Sequence, residues 1–452
     1  MVHNAKKIII VGGNAAGPAA AAKAKRVNPE AKVILFEAGE FISTGTCELP
    51  YLISGEIDDY NKIVFFNSES FQKQKGVEVF TNHVVNSIDS KQKKIRVTSL
   101  KNNETTEHEY DSLILATGSV SKKYPHFSKL LDNAFYLKSI TDYLKIQKYL
   151  SENNVRNVVV LGAGYIGLET ADAFHKLGMK VTVVERMSGP LPGYDDEIRG
   201  IVLENMVKLG IGFHGRMDEP KINYSGDRVS SFVLDSRIIE SDLVLVSVGV
   251  APNNGLALSC GLSLGKFGGV KVDKYMRTSI PNIFAAGDLV EIKEAITNKD
   301  IYLPQATMAH AFGHVAGSNA AGGREQVNPI IKNAAVNLFG NVITTVGLTL
   351  DEAKKVTAGA DSVMGSLPNL VKVMPNSTSV FGKIVFDKNN ERVLGASFCG
   401  QQEVVGYADI ISLLIQKSGT VSDLAVASYN YTPPNSPFVN LLSYLGRKAQ
   451  RS

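Results

Sequence analysis

Residues 157–185 read NVVVLGAGYIGLETADAFHKLGMKVTVVE. Asn157–Leu161 is a short, continuous apolar run, the pattern of a strand buried on both faces. Gly162, Gly164 and Gly167 follow as a turn, Leu168–Leu177 carries helical periodicity, and Lys180–Val184 predicts a second strand that ends at Glu185. Strand, glycine turn, helix and strand within thirty residues is one βαβ unit, the building block of a doubly wound parallel sheet.

The same unit stands at the start of the chain. Lys7–Val11 (KIIIV) predicts a strand, Gly17 to Val27 a helix of small residues, and Lys32–Phe36 a strand ending at Glu37. Its turn carries Gly12, Asn14 and Gly17, so asparagine stands where the second copy has Gly164. Glycine is needed in such a turn where a side chain would block the bend, the approach of a pyrophosphate, or the packing of helix on strand. The pyrophosphate then rests on free N–H groups at the helix N-terminus, and the acid about 20 residues on takes the ribose hydroxyls. Two such turns, each between strand and helix and each with its acid, predict two dinucleotides, FAD and NAD(P)H. Asp288, after the strand Ile283–Ala286, supplies a second segment placed to reach the flavin. Glu185 accepts a ribose diol and repels a 2′-phosphate, which favours NADH, and Arg186 beside it keeps NADPH in play.

The chain of 452 residues suggests about three domains at roughly 150 residues each. It is 44% hydrophobic and 20% charged with net charge +4, a balance that excludes disorder and gives no argument for nucleic acid. Three cysteines cannot staple a chain of this length. No apolar run approaches the ~18 residues of a membrane span, and Ile8–Val11 is far too short for a signal sequence, so a reducing cytoplasm is the expected setting. Residues 77–110 read as short antiparallel strands, with the KQKK stretch at 91–94 as a solvated turn. Ser112–Ala116 and Leu243–Val248 read as further strands. Beyond Gly323 the character changes: residues 326–452 lack a glycine turn and mix strands (Lys383–Phe386, Val393–Phe398) with a helix (Val404–Gln416). The expected fold is α/β, two doubly wound Rossmann-like dinucleotide-binding domains plus a C-terminal α+β domain.

Cys47 lies in Ser43-Thr44-Gly45-Thr46-Cys47-Glu48-Leu49-Pro50-Tyr51, a loop running into a helix that starts at Leu49. A thiol at a helix N-terminus is expected to have a lowered pKa and to be nucleophilic. Glu48 works against this, because a neighbouring carboxylate raises a thiol pKa. Cys260 and Cys399 have neither a basic nor a helix-start setting and read as packing residues. No metal site is expected.

In this order of parts the chain resembles the pyridine nucleotide-disulfide oxidoreductases along nearly its whole length. The resemblance implies an FAD-binding domain from residues 1–121 and 251–325, an NAD(P)H-binding domain at 122–250, and a dimerisation domain at 326–452 that makes a homodimer. It places flavin contacts at Gly12, Asn14, Ala15, Gly17, Glu37, Thr117, Gly118, Asp288, Ala306 and Thr307. Nicotinamide-nucleotide contacts fall at Gly162, Gly164, Tyr165, Ile166, Gly167, Glu185 and Gly249, with Tyr165 as the ring that gates the nicotinamide pocket. Most such enzymes use two cysteines four residues apart and a C-terminal His–Glu base. Here no second cysteine lies near Cys47, and no histidine follows His314. The single-cysteine group, the CoA-disulfide reductases, NADH oxidases and NADH peroxidases, is the better match. The oxidases and peroxidases usually carry a histidine where this chain has Ala15, and the Cys-x-Leu-Pro-Tyr run is closer to the CoA-disulfide reductases.

On that resemblance Cys47 cycles through a mixed disulfide with CoA. Lys23 and Arg26, three apart on one helix face, are candidates for the CoA phosphates, and Ser43 and Thr46 line the pantetheine channel. In Tyr429-Asn430-Tyr431-Thr432-Pro433-Pro434 the extended pre-proline chain is expected to put Tyr429 and Tyr431 on one side. The family uses such a tyrosine across the dimer to protonate the leaving thiolate, and Tyr431 matches best. The alternatives are reduction of CoA persulfide, polysulfide or sulfur, NADH oxidase or peroxidase chemistry through a Cys47 sulfenic acid, and a flavoprotein that passes electrons to a protein partner.

Overall fold

The computed structural model describes residues 5–127, 131–217 and 219–451. Two five-stranded parallel sheets dominate it. The first runs in the spatial order Ile283–Ala285, Ser112–Leu115, Lys7–Val11, Lys32–Phe36, Glu78–Phe80. The second runs Ala134–Phe135, Leu243–Val246, Asn157–Leu161, Lys180–Val184, Gly212–His214. In each, the strand that feeds the glycine turn is central, and the strand that ends in the acid is its neighbour. Ile8, Ile9 and Ile10 are fully buried, which is why this strand reads as a continuous apolar run.

The helices begin slightly earlier than the sequence suggests, at Ala16 and at Tyr165. One expectation is corrected: Glu78–Phe80 is the parallel edge strand of the first sheet, and only His83–Asp89, Lys94–Ser99 and Thr105–Glu109 form the antiparallel set. The Ala-rich helix Ala16–Val27 packs closely on Ala306–Ala320. A Cβ on Gly313 would stand 2.2 Å from the Ala16 carbonyl oxygen, and one on Gly317 2.1 Å from that of Ala20. Small residues on both helices allow this approach, and it brings the N-termini of the two helices to one end of the first sheet.

The chain passes between the parallel sheets along a two-stranded ribbon, Ser119–Ser121 against Val250–Pro252. Thr117 Oγ1 donates to the Asn253 carbonyl at 2.7 Å beside it, which ties outgoing to returning chain. The C-terminal part is an antiparallel sheet in the order Asn333–Leu338, Asn341–Gly347, Val393–Gly400, Ser379–Asp387, Ala360–Pro368. Helices Glu403–Gln416 and Leu441–Ala449 are buried against this sheet through Val404, Ile411, Leu441 and Leu445. Large apolar side chains remain uncovered in this part, with Val373 85% and Phe438 80% exposed.

Candidate active site

Both glycine turns have the geometry that the spacing predicts. Gly12 and Gly162 adopt φ of +113° and +101°, a backbone that favours glycine. A Cβ on Gly12 would meet the Ala116 carbonyl oxygen at 2.1 Å, and one on Gly162 that of Ser247 at 2.5 Å. Gly17 and Gly167 bring each helix onto its own turn: their Cβ atoms would lie 1.8 and 2.1 Å from the carbonyl oxygens of Gly12 and Gly162. Gly164 differs, for nothing among the described residues lies within 4 Å of its Cβ position. Protein packing does not demand that glycine, whereas a phosphate approaching the helix N-terminus does. Ile166, in the first turn of that helix, is exposed.

The two acids are held alike. Glu37 accepts from Gly13 N and Gly39 N, both at 2.6 Å. Glu185 accepts from Ala163 N at 2.7 Å and Met187 N at 2.8 Å. Each carboxylate is oriented by backbone and keeps lone pairs for a diol. At the middle glycine position of the first turn, Asn14 turns to the cysteine loop, its Oδ1 accepting from Thr44 N at 3.1 Å. Ala15 is half-buried at the start of its helix. Ala306 and Thr307 are exposed at the N-terminus of their helix, and Gly118 and Gly249 take positive φ at the ends of the crossing ribbon. These turns, acids and open helix ends fit two dinucleotides.

Cys47 sits in a single 3₁₀ turn, Thr46–Glu48, ahead of the short helix Leu49–Ile53. The loop before it is pinned on both sides: Ser43 N, from a residue at φ +51°, donates to Gly13 O at 2.8 Å, and Gly45 N to Ile63 O at 2.8 Å. The thiol is exposed and unpaired. The expected lowering of its pKa is corrected. Surrounding protein atoms withdraw enough water to push the thiol up; the Glu48 and Glu169 carboxylates push further, Lys138 opposes them, and Asp288 adds a little. A five-residue helix with Pro50 near its start has little dipole to set against these charges.

Lys138 and Asp288 belong to one cluster. Asp288 Oδ2 accepts from Ser119 Oγ at 2.8 Å and lies 3.5 Å from Lys138 Nζ. Glu169 stands on the helix Tyr165–Lys176, four residues after Tyr165, in a pocket with Pro50, Tyr51, Glu56, Lys176 and Asn337. Burial first, and Asp172 second, raise its carboxyl to about 7 against the backbone N–H of Asn337. Lys138 and Glu169 escape a sequence reading. Only the (i, i+4) spacing of Glu169 from Tyr165 hinted at the latter. Tyr165 itself is 40% exposed, and its hydroxyl accepts from that of Tyr194 at 2.7 Å.

The remaining candidates are divided by the fold. Lys23 pairs with Glu325 at 2.6 Å, so its charge is already matched. Arg26 lies 3.3 Å from the His314 ring nitrogen, and His310 stacks on His314 with ring centroids 4.7 Å apart. Tyr429 and Tyr431 do not share one side, contrary to expectation. Tyr429 packs against the core of the C-terminal part, donates to the Leu424 carbonyl at 3.3 Å, and is pushed up to about 12 by burial. Tyr431 is 49% exposed and meets the edge of Phe438. Cys260 is half-buried and donates to Ala257 O, while Cys399 is buried.

Comparison with known proteins identifies the family. Residues 6–313 match the family described as pyridine nucleotide-disulphide oxidoreductase, and residues 334–440 match its dimerisation domain. An NAD(P)H coenzyme A polysulfide/persulfide reductase of Pyrococcus horikoshii is 31% identical over 446 residues, 98% of each chain. A coenzyme A disulfide reductase of Staphylococcus epidermidis is 27% identical over 445 residues, 98% of this chain and all of the relative. The solved structure of an NAD-dependent persulfide reductase from A. fulgidus superposes with a TM-score of 0.94 at 31% identity, covering 98% of this chain and 83% of that one.

Proposed function

We propose, from the premise that this chain belongs to the pyridine nucleotide-disulphide oxidoreductase family, that it reduces CoA disulfide through Cys47. The family binds FAD and uses NAD(P)H, and the chain is an NAD(P)H-dependent oxidoreductase. The carrying observation is the thiol. Cys47 is exposed, unpaired, and placed by a pinned loop beside the first glycine turn, while the other two cysteines are half-buried or buried elsewhere. One thiol forms its disulfide with the substrate, not with a neighbour.

We assign the flavin to residues 1–121 and 251–325, with Gly12, Gly17, Glu37, Thr117, Asp288 and the helix start at Ala306–Thr307 holding it. NADH is assigned to residues 122–250, with Gly162, Gly164, Gly167 and Glu185. Bound FAD supplies two-electron exchange between nicotinamide and sulfur. The Cys47 thiolate attacks CoA disulfide, forming Cys47–S–S–CoA and releasing one CoA thiolate, which takes a proton. Two electrons from NADH and one proton then cleave the mixed disulfide, freeing the second CoA thiol and the Cys47 thiolate. The balance is CoA disulfide + NADH + H⁺ → 2 CoA thiol + NAD⁺. Lys138, whose charge lowers the Cys47 pKa, steadies the thiolate. Residues 326–452 form the dimer contact, and Tyr431 reaches the partner's site as proton donor, because Tyr429 is committed to Leu424. Arg26 is the CoA phosphate contact with the stronger claim, since Lys23 is paired with Glu325.

Reduction of CoA persulfide is the second reading, favoured by the 31% identity to a persulfide reductase over 98% of both chains. Purified FAD-loaded protein mixed anaerobically with NADH and CoA disulfide should release two thiols per NADH, and Cys47→Ser should abolish this. Sulfide release from CoA persulfide without turnover of CoA disulfide would select the second reading. Flavin reduction with turnover of neither would defeat both.

A further inference from the structure

Between Glu185 and the helix Asp196–Lys208 the chain folds back over the second glycine turn. Leu191 N donates to the Ala163 carbonyl at 2.9 Å, and the loop takes positive φ at Leu191 (48°) and Gly193 (90°). This return buries Tyr194, which is 8% exposed, and aims its hydroxyl at that of Tyr165, 2.7 Å away, with the two rings edge to face at 5.9 Å. The loop is anchored from behind: Asp195 accepts from Ser397 Oγ at 2.8 Å and Leu350 N at 3.3 Å, and pairs with Lys383 at 3.0 Å, all three on the C-terminal part.

We propose that Tyr194 is a latch on Tyr165, a positioning residue that sets how readily the nicotinamide site opens. The inference rests on the reading of Tyr165 as the ring over the nicotinamide position. Tyr165 is the first residue of its helix, so its backbone is fixed, and any swing of the ring about χ1 carries the hydroxyl away from Tyr194. Opening therefore breaks one hydrogen bond and leaves the buried Tyr194 hydroxyl without its partner. The apparent affinity for the nucleotide is reduced by the fraction of molecules that are closed. Because Asp195 is fixed to the C-terminal part, that part also sets the position of the latch.

The experiment uses the FAD-loaded protein and four variants, Tyr194→Phe, Tyr165→Phe, the double variant, and Tyr165→Ala. Two quantities are read: the NAD⁺ dissociation constant by calorimetry, and the NADH dependence of flavin reduction in anaerobic stopped flow. Tyr194→Phe keeps the ring and removes the latch, so NAD⁺ and NADH should bind about fivefold tighter, the equivalent of one neutral hydrogen bond, with the limiting reduction rate unchanged. Tyr165→Phe should tighten NAD⁺ binding to the same extent, and the double variant should bind NAD⁺ no tighter than either single one. Unchanged or weaker binding in Tyr194→Phe, or additive effects in the double variant, would overturn the latch. If Tyr165→Ala also leaves both readouts unchanged, the placement of nicotinamide at this helix fails, which separates that failure from the failure of the latch.

Discussion

Lys383 and Asp195 form an ion pair 3.0 Å long, with each side chain only 5% exposed, between the C-terminal antiparallel sheet and the loop behind the second glycine turn. Glu197 joins it at 2.8 Å from the same Lys383 Nζ. The pair fastens the loop behind the second glycine turn to the C-terminal part, where apolar packing alone would leave their relative seating less specific. Lys383→Met leaves Asp195 buried without its cation, a loss of about 3–5 kcal/mol. Urea unfolding should show a markedly lower midpoint, and an unchanged midpoint would mean that the pair adds nothing.

Glu48 folds back over its own loop, so that a Cβ on Gly45 would stand 2.4 Å from Glu48 Oε2. Its charge is the second largest cause, after burial, of the upward shift at Cys47. Thiolate forms as pH rises through that raised value. Glu48→Gln should move the pH midpoint of Cys47 alkylation by iodoacetamide downward and speed alkylation at neutral pH. The midpoint should remain above that of a free thiol, because burial is untouched. A midpoint that stays in place would remove Glu48 from the account.

Glu169 makes a pH-dependent charge on stability. Its folded value of about 7 lies above the ordinary 4.5, so the folded state holds the proton more tightly than the unfolded chain between those values. Stability is unaffected below the lower value, falls as pH rises through the window, and carries the full penalty above the upper one. Glu169→Gln removes the penalty. Relative to the parent it should be unchanged near pH 4 and more stable by on the order of 3 kcal/mol at pH 8, read from denaturation at both pH values. A difference independent of pH would contradict this.

Two glycines separate packing from ligand contact. Gly17→Ala forces a Cβ to within 1.8 Å of the Gly12 carbonyl oxygen, so the helix must leave its turn. FAD content, read as the ratio of flavin to protein absorbance, should fall by more than half. Gly164→Ala meets nothing within 4 Å among the described residues and should melt at the parental temperature. Its cost should appear only as weaker NADH binding, measured by titration. Equal NADH affinity in that variant would deny the phosphate a place at this helix end.

The parts of this protein that were legible in the sequence are those set by neighbours along the chain. Gly12–Gly17 and Gly162–Gly167 announce their turns because the needs for positive φ and close approach are local. Glu37 and Glu185 follow because strand length fixes where the acid falls. The solitary position of Cys47 is a matter of counting. Glu78–Phe80 was misassigned because a three-residue edge strand has no periodicity to read, and its parallel partner, Lys32–Phe36, lies forty residues upstream.

What surrounds those groups came only from the tertiary structure. After burial and the adjacent Glu48, the pKa of Cys47 is set by Glu169, Lys138 and Asp288, which stand 91 or more positions away in sequence. Lys23 reads as a free cation until Glu325 arrives, and Tyr429 as the twin of Tyr431 until burial turns it to Leu424. The chain alone determined the two glycine turns and the solitary setting of Cys47, since backbone conformation and composition are properties of short segments. The thiol's electrostatics, the hydroxyl pair at Tyr165 and the buried lysine were decided by packing, since burial and Coulomb interaction depend on distance in space.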